Sequence, residues 1–191
     1  LEQLLQLDQE LFLYLNGLGT ETWDRFWMFM TRTKNSAPLY ALLLYLVVKN
    51  FGTKRTLVIL VATALLITCT DQLSNFFKYG IGRLRPCHDL EISDIMRLVK
   101  SYCGGKFGYF SAHAANSFAP ATFFALLFKG KVKFIGWIMI LWAIIVAYSR
   151  IYIGVHFPLD VLTGAAIGAF FGWVFYKLSI FAFQKIVHDN F

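Results

Sequence analysis

Five stretches of the 191-residue sequence carry no charged side chain: 35–48, 56–70, 114–128, 134–149 and 161–176. An apolar run in lipid must satisfy its backbone N–H and C=O groups within itself, which favours helices. Each run is shorter than the ~20 residues a span needs. Each becomes long enough once flanking polar and snorkelling residues are added. The expected fold is therefore all-α: a polytopic membrane helix bundle with about five core transmembrane helices. They are placed near 36–50, 55–79, 112–129, 132–152 and 157–183. Composition agrees, with 58% hydrophobic and 15% charged residues and 20 Phe, where soluble domains carry about 25% charge. That balance excludes an ordinary soluble domain and a disordered chain. One domain over residues 1–191 is expected.

Residues 1–16 place Leu1, Leu4, Leu5, Leu11, Phe12 and Leu15 near helical spacing, with Gln and acidic residues between them. This predicts an amphipathic helix lying at the membrane interface, ended by Asn16-Gly17. Residues 20–33 hold Trp23, Phe26, Trp27, Met28 and Phe29, but Asp24, Arg25 and Arg32 make them a poor span. They are read as a second interfacial or partly inserted helix, so 1–33 forms an N-terminal interfacial region. Glu2, Asp8 and Glu10, with no basic stretch before them, argue against a secretory signal. The first residue, Leu1 rather than Met, leads to the expectation that the native start lies upstream. In the last span, Gly164, Gly168 and Gly172 form an i, i+4, i+8 stripe suited to close helix packing.

Net charge is +7. No basic–aromatic strip lies outside the apolar runs, so topology and anionic headgroups explain the charge better than nucleic acid does. Lys49, Lys54 and Arg55, then Lys129, Lys131 and Lys133, occupy short connections, and Lys177 and Lys185 follow the last span. These ends are assigned to the cytoplasm. The long segment 79–112 then faces outward, yet it carries Arg83, Arg85, Arg97, Lys100 and Lys106. An anionic substrate is a sufficient reason for that breach of the rule. Cys87 and Cys103 share this segment and are expected to form a disulfide in an oxidising compartment. Cys87, His88 and Cys103 lack a fourth ligand or a paired C-x-x-C spacing, so no metal is expected. Cys69, inside an apolar run, reads as packing.

Polar residues gather at the outer helix ends. Lys78 ends the second span, Arg85 follows it, and Arg150 closes the fourth. Three such cations are costly to bury unless an anion compensates them. Arg forks fit phosphate oxygens and Lys adds a point charge. A structural role would need acids nearby, for which Asp160 and Asp71 are the candidates. His156 and Asp160, four apart, share a helix face, so the carboxylate can fix the imidazole tautomer and leave the other nitrogen free to attack. His113 opens the third span and is placed to donate a proton. Ser111 and the nearby backbone amides can bind phosphate oxygens or cap the helix, two compatible roles. His88 is expected at the entrance and His188 in the cytoplasmic tail.

The runs Lys78-x6-Arg85-Pro86, Phe110-Ser111-Ala112-His113 and Ser149-Arg150-x5-His156-x3-Asp160 resemble the three-part motif of the type 2 phosphatidic acid phosphatase superfamily. The second run departs at Phe110 for Pro and Ala112 for Gly. The resemblance implies a metal-independent lipid phosphatase without cofactor. His156 would be the nucleophile that becomes phosphohistidine, oriented by Asp160. His113 would be acid and then base. Lys78, Arg85, Arg150, Ser111 and the amide of Ala112 would hold phosphate. Arg83 would meet a second phosphate or headgroup, or serve only the surface. It further implies a bacterial inner-membrane enzyme with its site facing the periplasm. The candidate substrates are undecaprenyl diphosphate, phosphatidylglycerol phosphate, phosphatidic acid and the phosphates of lipid A, with a lean to undecaprenyl diphosphate. A vanadate-dependent haloperoxidase and a non-catalytic anion- or lipid-binding protein are the competing classes.

Overall fold

The structure is a computed structural model that describes residues 2–188, with side chains through residue 185. Leu1 and the side chain of His188, both named above, lie outside the described residues. The helices are α1 (Glu2–Gly17), α2 (Glu21–Met30), α3 (Ala37–Ile81), α4 (Ala112–Leu127), α5 (Ile135–Tyr152) and α6 (Pro158–His188). Short 3-10 turns occupy Thr33–Ser36 and Pro86–His88.

The first two predicted spans are the limbs of α3. Unbroken, its 45 residues would reach about 68 Å. Instead Gly52 takes φ 71°, ψ 172° and turns the chain back. A positive φ is open to Gly at no steric cost. Thr56 Oγ1 donates to the Gly52 carbonyl at 2.7 Å and restarts the helix. Leu43 and Val47 of one limb then share a core with Ile59 and Leu66 of the other. By length and composition, Thr33–Ile81, Ile135–Tyr152 and Pro158–Lys185 can cross a membrane. With α3 folded double they supply four rods.

The fifth rod, α4, is only 16 residues long and is too short to pass as a span alone. It is sheltered by protein, packing against α3, α5 and α6. Its Ala114, Ala115, Ala119 and Ala121 are buried. The glycine stripe of α6 lies directly on it: a Cβ on Gly164, Gly168 or Gly172 would collide with the carbonyl of Ser111, Ala115 or Ala119 respectively. Small residues on both faces let the two backbones touch, which is how helices gain dispersion contact where lipid offers no hydrophobic drive.

At one end of the bundle, Phe51 packs on Phe128 and Phe183. Lys131 stands over the Phe51 ring and Arg55 over that of Phe183. The predicted cytoplasmic lysines 49, 54, 129, 131 and 133 sit at these turns. The other end carries residues 82–111, where Cys87 and Cys103 are bonded with Cα atoms 5.9 Å apart. Cys69, expected in the packing, is exposed on the outside of α3.

The N-terminal helices differ from expectation in one respect. The 10-residue α2 is about 15 Å long, too short to cross, and it lays Trp27 against Tyr148 and Tyr152. Leu4, Leu5 and Leu11 of α1 are exposed, as an interfacial helix requires. Yet α1 also buries a second stripe of Asp8, Phe12 and Asn16. Asn16 Nδ2 faces the carbonyls of Arg97, Ile151 and Tyr152, and its Oδ1 accepts from the Arg97 N–H. Helix α1 is therefore docked on the bundle and does not simply float beside it.

Replacing Gly168 with Val should force α4 and α6 apart and cost about 1–3 kcal/mol by overpacking. Thermal unfolding in detergent would register this as a lower midpoint. Gly80→Ala, where no atom lies within 4 Å of the added Cβ, should leave the midpoint unmoved or raise it.

Candidate active site

The helix ends at the end of the bundle that carries residues 82–111 close over a cavity of about 780 Å³. Lys78, Arg85, Ala112, His113, Arg150 and His156 line its polar end, while Leu43, Val47, Ile59, Ile67 and Phe124 line its apolar depth. Leu44 and Leu60 also line it and are 45% and 47% exposed on the outer surface of α3.

His156 sits in the tight turn between α5 and α6. Gly154 takes φ +82° there, and a Cβ on it would strike Met96 and the Arg97 carbonyl. Pro158 then opens α6, as its fixed φ and missing N–H allow. The imidazole is 2% exposed. Its Nδ1 faces Asp160 Oδ2 at 3.3 Å. The same oxygen accepts the Phe157 N–H at 3.1 Å. A carboxylate at Nδ1 holds the proton there and leaves the Nε2 lone pair available. Burial holds this imidazole neutral well below the usual histidine range; the cations Arg150, Arg85 and Lys78 act the same way, against the Gly108 carbonyl.

The two histidines are tied by backbone. The Ser111 N–H donates to the Asp160 carbonyl at 2.9 Å, which fixes the start of α4 on the first turn of α6. Ser111 Oγ accepts the Ala114 N–H at 3.4 Å and so serves as the N-cap. Ser111 is fully buried and is not part of the cavity wall, which at this point is Ala112 and His113. Phe110, one of the two departures from the motif, is buried against Phe77, and its carbonyl accepts from Ser74 Oγ.

The cations are poorly compensated. Arg85 Nε donates to the Phe107 carbonyl, and Nη1 lies 3.5 Å from the Cys103 carbonyl. Burial lowers its pKa, against the attraction of Asp160. Arg150 is 4% exposed; Nη1 bonds Thr31 Oγ1, and among the described residues Nε is buried without a hydrogen-bond partner. Lys78 shares the wall. A buried guanidinium with an orphan N–H is costly unless an anion fills the space in front of it. Phosphate, with several acceptor oxygens and negative charge, has the matching chemistry.

Arg83 takes neither of the roles expected of it. It lies behind His156, bonded to Asp160 Oδ1 at 2.9 Å and to Asp8 Oδ2 at 2.5 Å, with its guanidinium over the Phe157 ring. Asp160 holds it there by charge, so it does not reach into the cavity. Asp8 also accepts the Leu159 N–H at 2.8 Å. Burial raises the Asp8 carboxyl, opposed by Arg83 and by that N–H. His88 is likewise not on the wall: it is half-buried, with Nε2 3.3 Å from the Gly104 carbonyl, and Gly104 lines the cavity there.

Several site residues had no motif to announce them. Asp8 and Thr31 come from the N-terminal residues 1–33. Gly108 passes so close that an added Cβ would sit 3.0 Å from Asp160 Oδ2 and 3.1 Å from Arg85 Cγ. Asp71, Lys100 and Asn116 also line the cavity. The only available clue to Asp8 was its i, i+4, i+8 spacing with Phe12 and Asn16. Among the described residues, no group of three or more His, Cys, Asp or Glu is placed to hold a metal ion.

The PAP2 superfamily model matches residues 55–183. The lipid A 4'-phosphatase of Bacteroides thetaiotaomicron is 41% identical over 181 residues, covering 94% of this chain and 80% of that protein. The crystal structure of Aquifex aeolicus LpxE superposes with a TM-score of 0.66 at 30% identity, over 90% of this chain and 95% of that one. A transmembrane PAP2-type phosphatidylglycerolphosphate phosphatase from Bacillus subtilis gives 0.71 at 20% identity, over 97% and 89%, and shares the fold.

The cationic wall makes a prediction independent of turnover. Inorganic phosphate or vanadate should raise the unfolding temperature in a concentration-dependent way, by mass action on the folded state. Arg150→Leu should abolish most of that rise, and an equal rise in the variant would show that the anion binds elsewhere.

Proposed function

The chain belongs to the PAP2 superfamily, and from that premise we propose that it releases phosphate from a membrane lipid through a phosphohistidine at His156. The observation that carries this reading is the hydrogen-bonded His156–Asp160 pair, with His156 sharing the polar end of an apolar cavity with Lys78, Arg85 and Arg150. The cavity walls suit a lipid whose tail stays among apolar side chains while its headgroup reaches the histidines.

Neutral His156 attacks phosphorus and forms the N–P bond as the ester P–O bond breaks. His113 gives its proton to the leaving oxygen. Asp160 offsets the positive charge that develops on the His156 ring. His113 then takes a proton from water, which attacks phosphorus and expels His156 as the N–P bond breaks. Lys78, Arg85 and Arg150 stabilise charge on the phosphoryl oxygens throughout, the dominant means of catalysis in phosphoryl transfer. Arg83 keeps Asp160 aimed, and Asp8 holds Arg83.

Of the four lipids suggested by the sequence, a phosphate of a lipid A-type glycolipid is favoured by the 41% identical relative. The site is assigned to the outer face of a bacterial inner membrane. The lysines at the opposite end support this by the positive-inside rule, and the Cys87–Cys103 bond suits an oxidising compartment. A haloperoxidase has no use for the apolar depth of the cavity, and a passive anion binder has none for the two histidines.

Purified protein in detergent with EDTA should release phosphate from a lipid A-type phosphomonoester faster than from undecaprenyl diphosphate, phosphatidylglycerol phosphate or phosphatidic acid. His156→Ala should lower kcat by roughly 10³-fold or more, and His113→Ala by about 10²- to 10⁴-fold. Full activity in His156→Ala would end the proposal. Because the His156 pKa is lowered, its attacking form persists as pH falls from 8 to 6.5; an acid limb from this group should appear only below the usual histidine range. Asp8→Asn should reduce kcat about tenfold with KM little changed, since a positioning residue acts through the transition state. A rise in KM alone would place Asp8 outside this chain of contacts.

A further inference from the structure

One acidic group in the cavity has no part in the chemistry above. Asp71 lines the wall within α3, among Ile59, Thr63 and Ile67. It lies seven residues before Lys78, on the same helix face and about two turns deeper. Across the cavity, Asn116 lies three residues after His113 on α4, about one turn deeper. Thr70 Oγ1 is 2.6 Å from Asn116 Oδ1, which turns the amide so that Nδ2 faces Asp71 Oδ1 at 3.4 Å. No other hydrogen bond reaches Asp71 among the described residues, so its second oxygen is an open acceptor inside an apolar cavity.

An ionisable residue at membrane depth is expensive and marks function when it faces a cavity. Asp71 and Lys78 attract each other, yet that attraction does not require an asparagine fixed in register by a threonine. Resting on the phosphatase reading, we propose that Asp71 and Asn116 form a second recognition point for the lipid body. It accepts a neutral O–H or N–H donor that the substrate carries about 5–10 Å below its phosphorus, a depth set by the one to two helical turns. Substrates with a hydroxyl or an amide N–H near the headgroup are thereby selected over lipids that carry only ester and hydrocarbon there. A buried acceptor left unmatched is what makes such discrimination strong.

The test compares three phosphomonoester lipids of similar chain length in one detergent. Ceramide 1-phosphate carries both an amide N–H and a hydroxyl, lysophosphatidic acid carries a hydroxyl only, and phosphatidic acid carries neither. The native protein should show higher kcat/KM on the donor-bearing lipids. Asp71→Asn should erase that preference, its loss on those lipids exceeding its loss on phosphatidic acid by about ten- to a hundredfold, as for a hydrogen bond to a charged group. If the excess loss is confined to ceramide 1-phosphate, the donor is the amide; if lysophosphatidic acid shares it, the hydroxyl suffices. Equal losses on all three lipids, or none, would overturn the proposal. Asn116→Ala provides the same comparison should Asp71→Asn fail to fold. A native protein active on the lipid A-type phosphomonoester but on none of these three would overturn this proposal alone; one inactive on all four lipids would overturn the phosphatase reading and this proposal with it.

Discussion

A guanidinium buried to 4% exposure, bonded to the Thr31 hydroxyl and with Nε unsatisfied among the described residues, sets the terms of this molecule. Arg150 is tolerable at a helix end inside an apolar bundle only if something negative spends time beside it. Arg85 is held by carbonyls and Lys78 stands near both, so all three positive charges line one cavity. The fold is arranged to keep that space open. Gly52 doubles α3 back so that both its limbs line the cavity. The glycine stripe brings α6 onto α4, and the Ser111–Asp160 backbone bond sets His113 against His156.

Charge is divided between the two sides of His156. Behind it, Asp8 and Asp160 share the guanidinium of Arg83 in a closed group. In front stand three cations and, on this account, the substrate's phosphate. An imidazole between these fields is held neutral before attack and has a carboxylate in contact at Nδ1 as it becomes positive. The interfacial helix α1 is part of this arrangement, because Asp8 completes the group and also binds the first turn of α6 through Leu159. The same helix leaves Leu4, Leu5 and Leu11 exposed, so one short element presents an apolar stripe outward and braces the turn that carries His156.

Much of this was legible from sequence for definite reasons. Uncharged runs must become helices in lipid, and the predicted limits near 36–50 and 55–79 fall within α3 on either side of Gly52. Lys78, Arg85, Arg150, His113 and His156 could be grouped because topology alone put them at one end. What escaped were contacts between segments far apart in the chain. Arg83 carries no mark that it would turn toward Asp8 and Asp160 rather than toward a ligand. Asp8 and Asn16 look like the polar face of a surface helix, and only docking makes that face the buried one. Ser111 kept the helix-capping role and left the cavity wall to Ala112, a choice decided by backbone direction at the start of α4. Thr31 had no motif at all, since its importance comes entirely from Arg150 lying beside it.

The central claim is that His156 bonds to phosphorus during turnover, and rapid quenching with a lipid bearing ³²P in its phosphate tests it most directly. The account predicts a transient label on the protein that is stable in alkali, lost in acid and mapped to the peptide containing His156. It should be absent in His156→Ala and longer-lived in His113→Ala. Phosphate release at the native rate with no such label, or with the label on another residue, would contradict it.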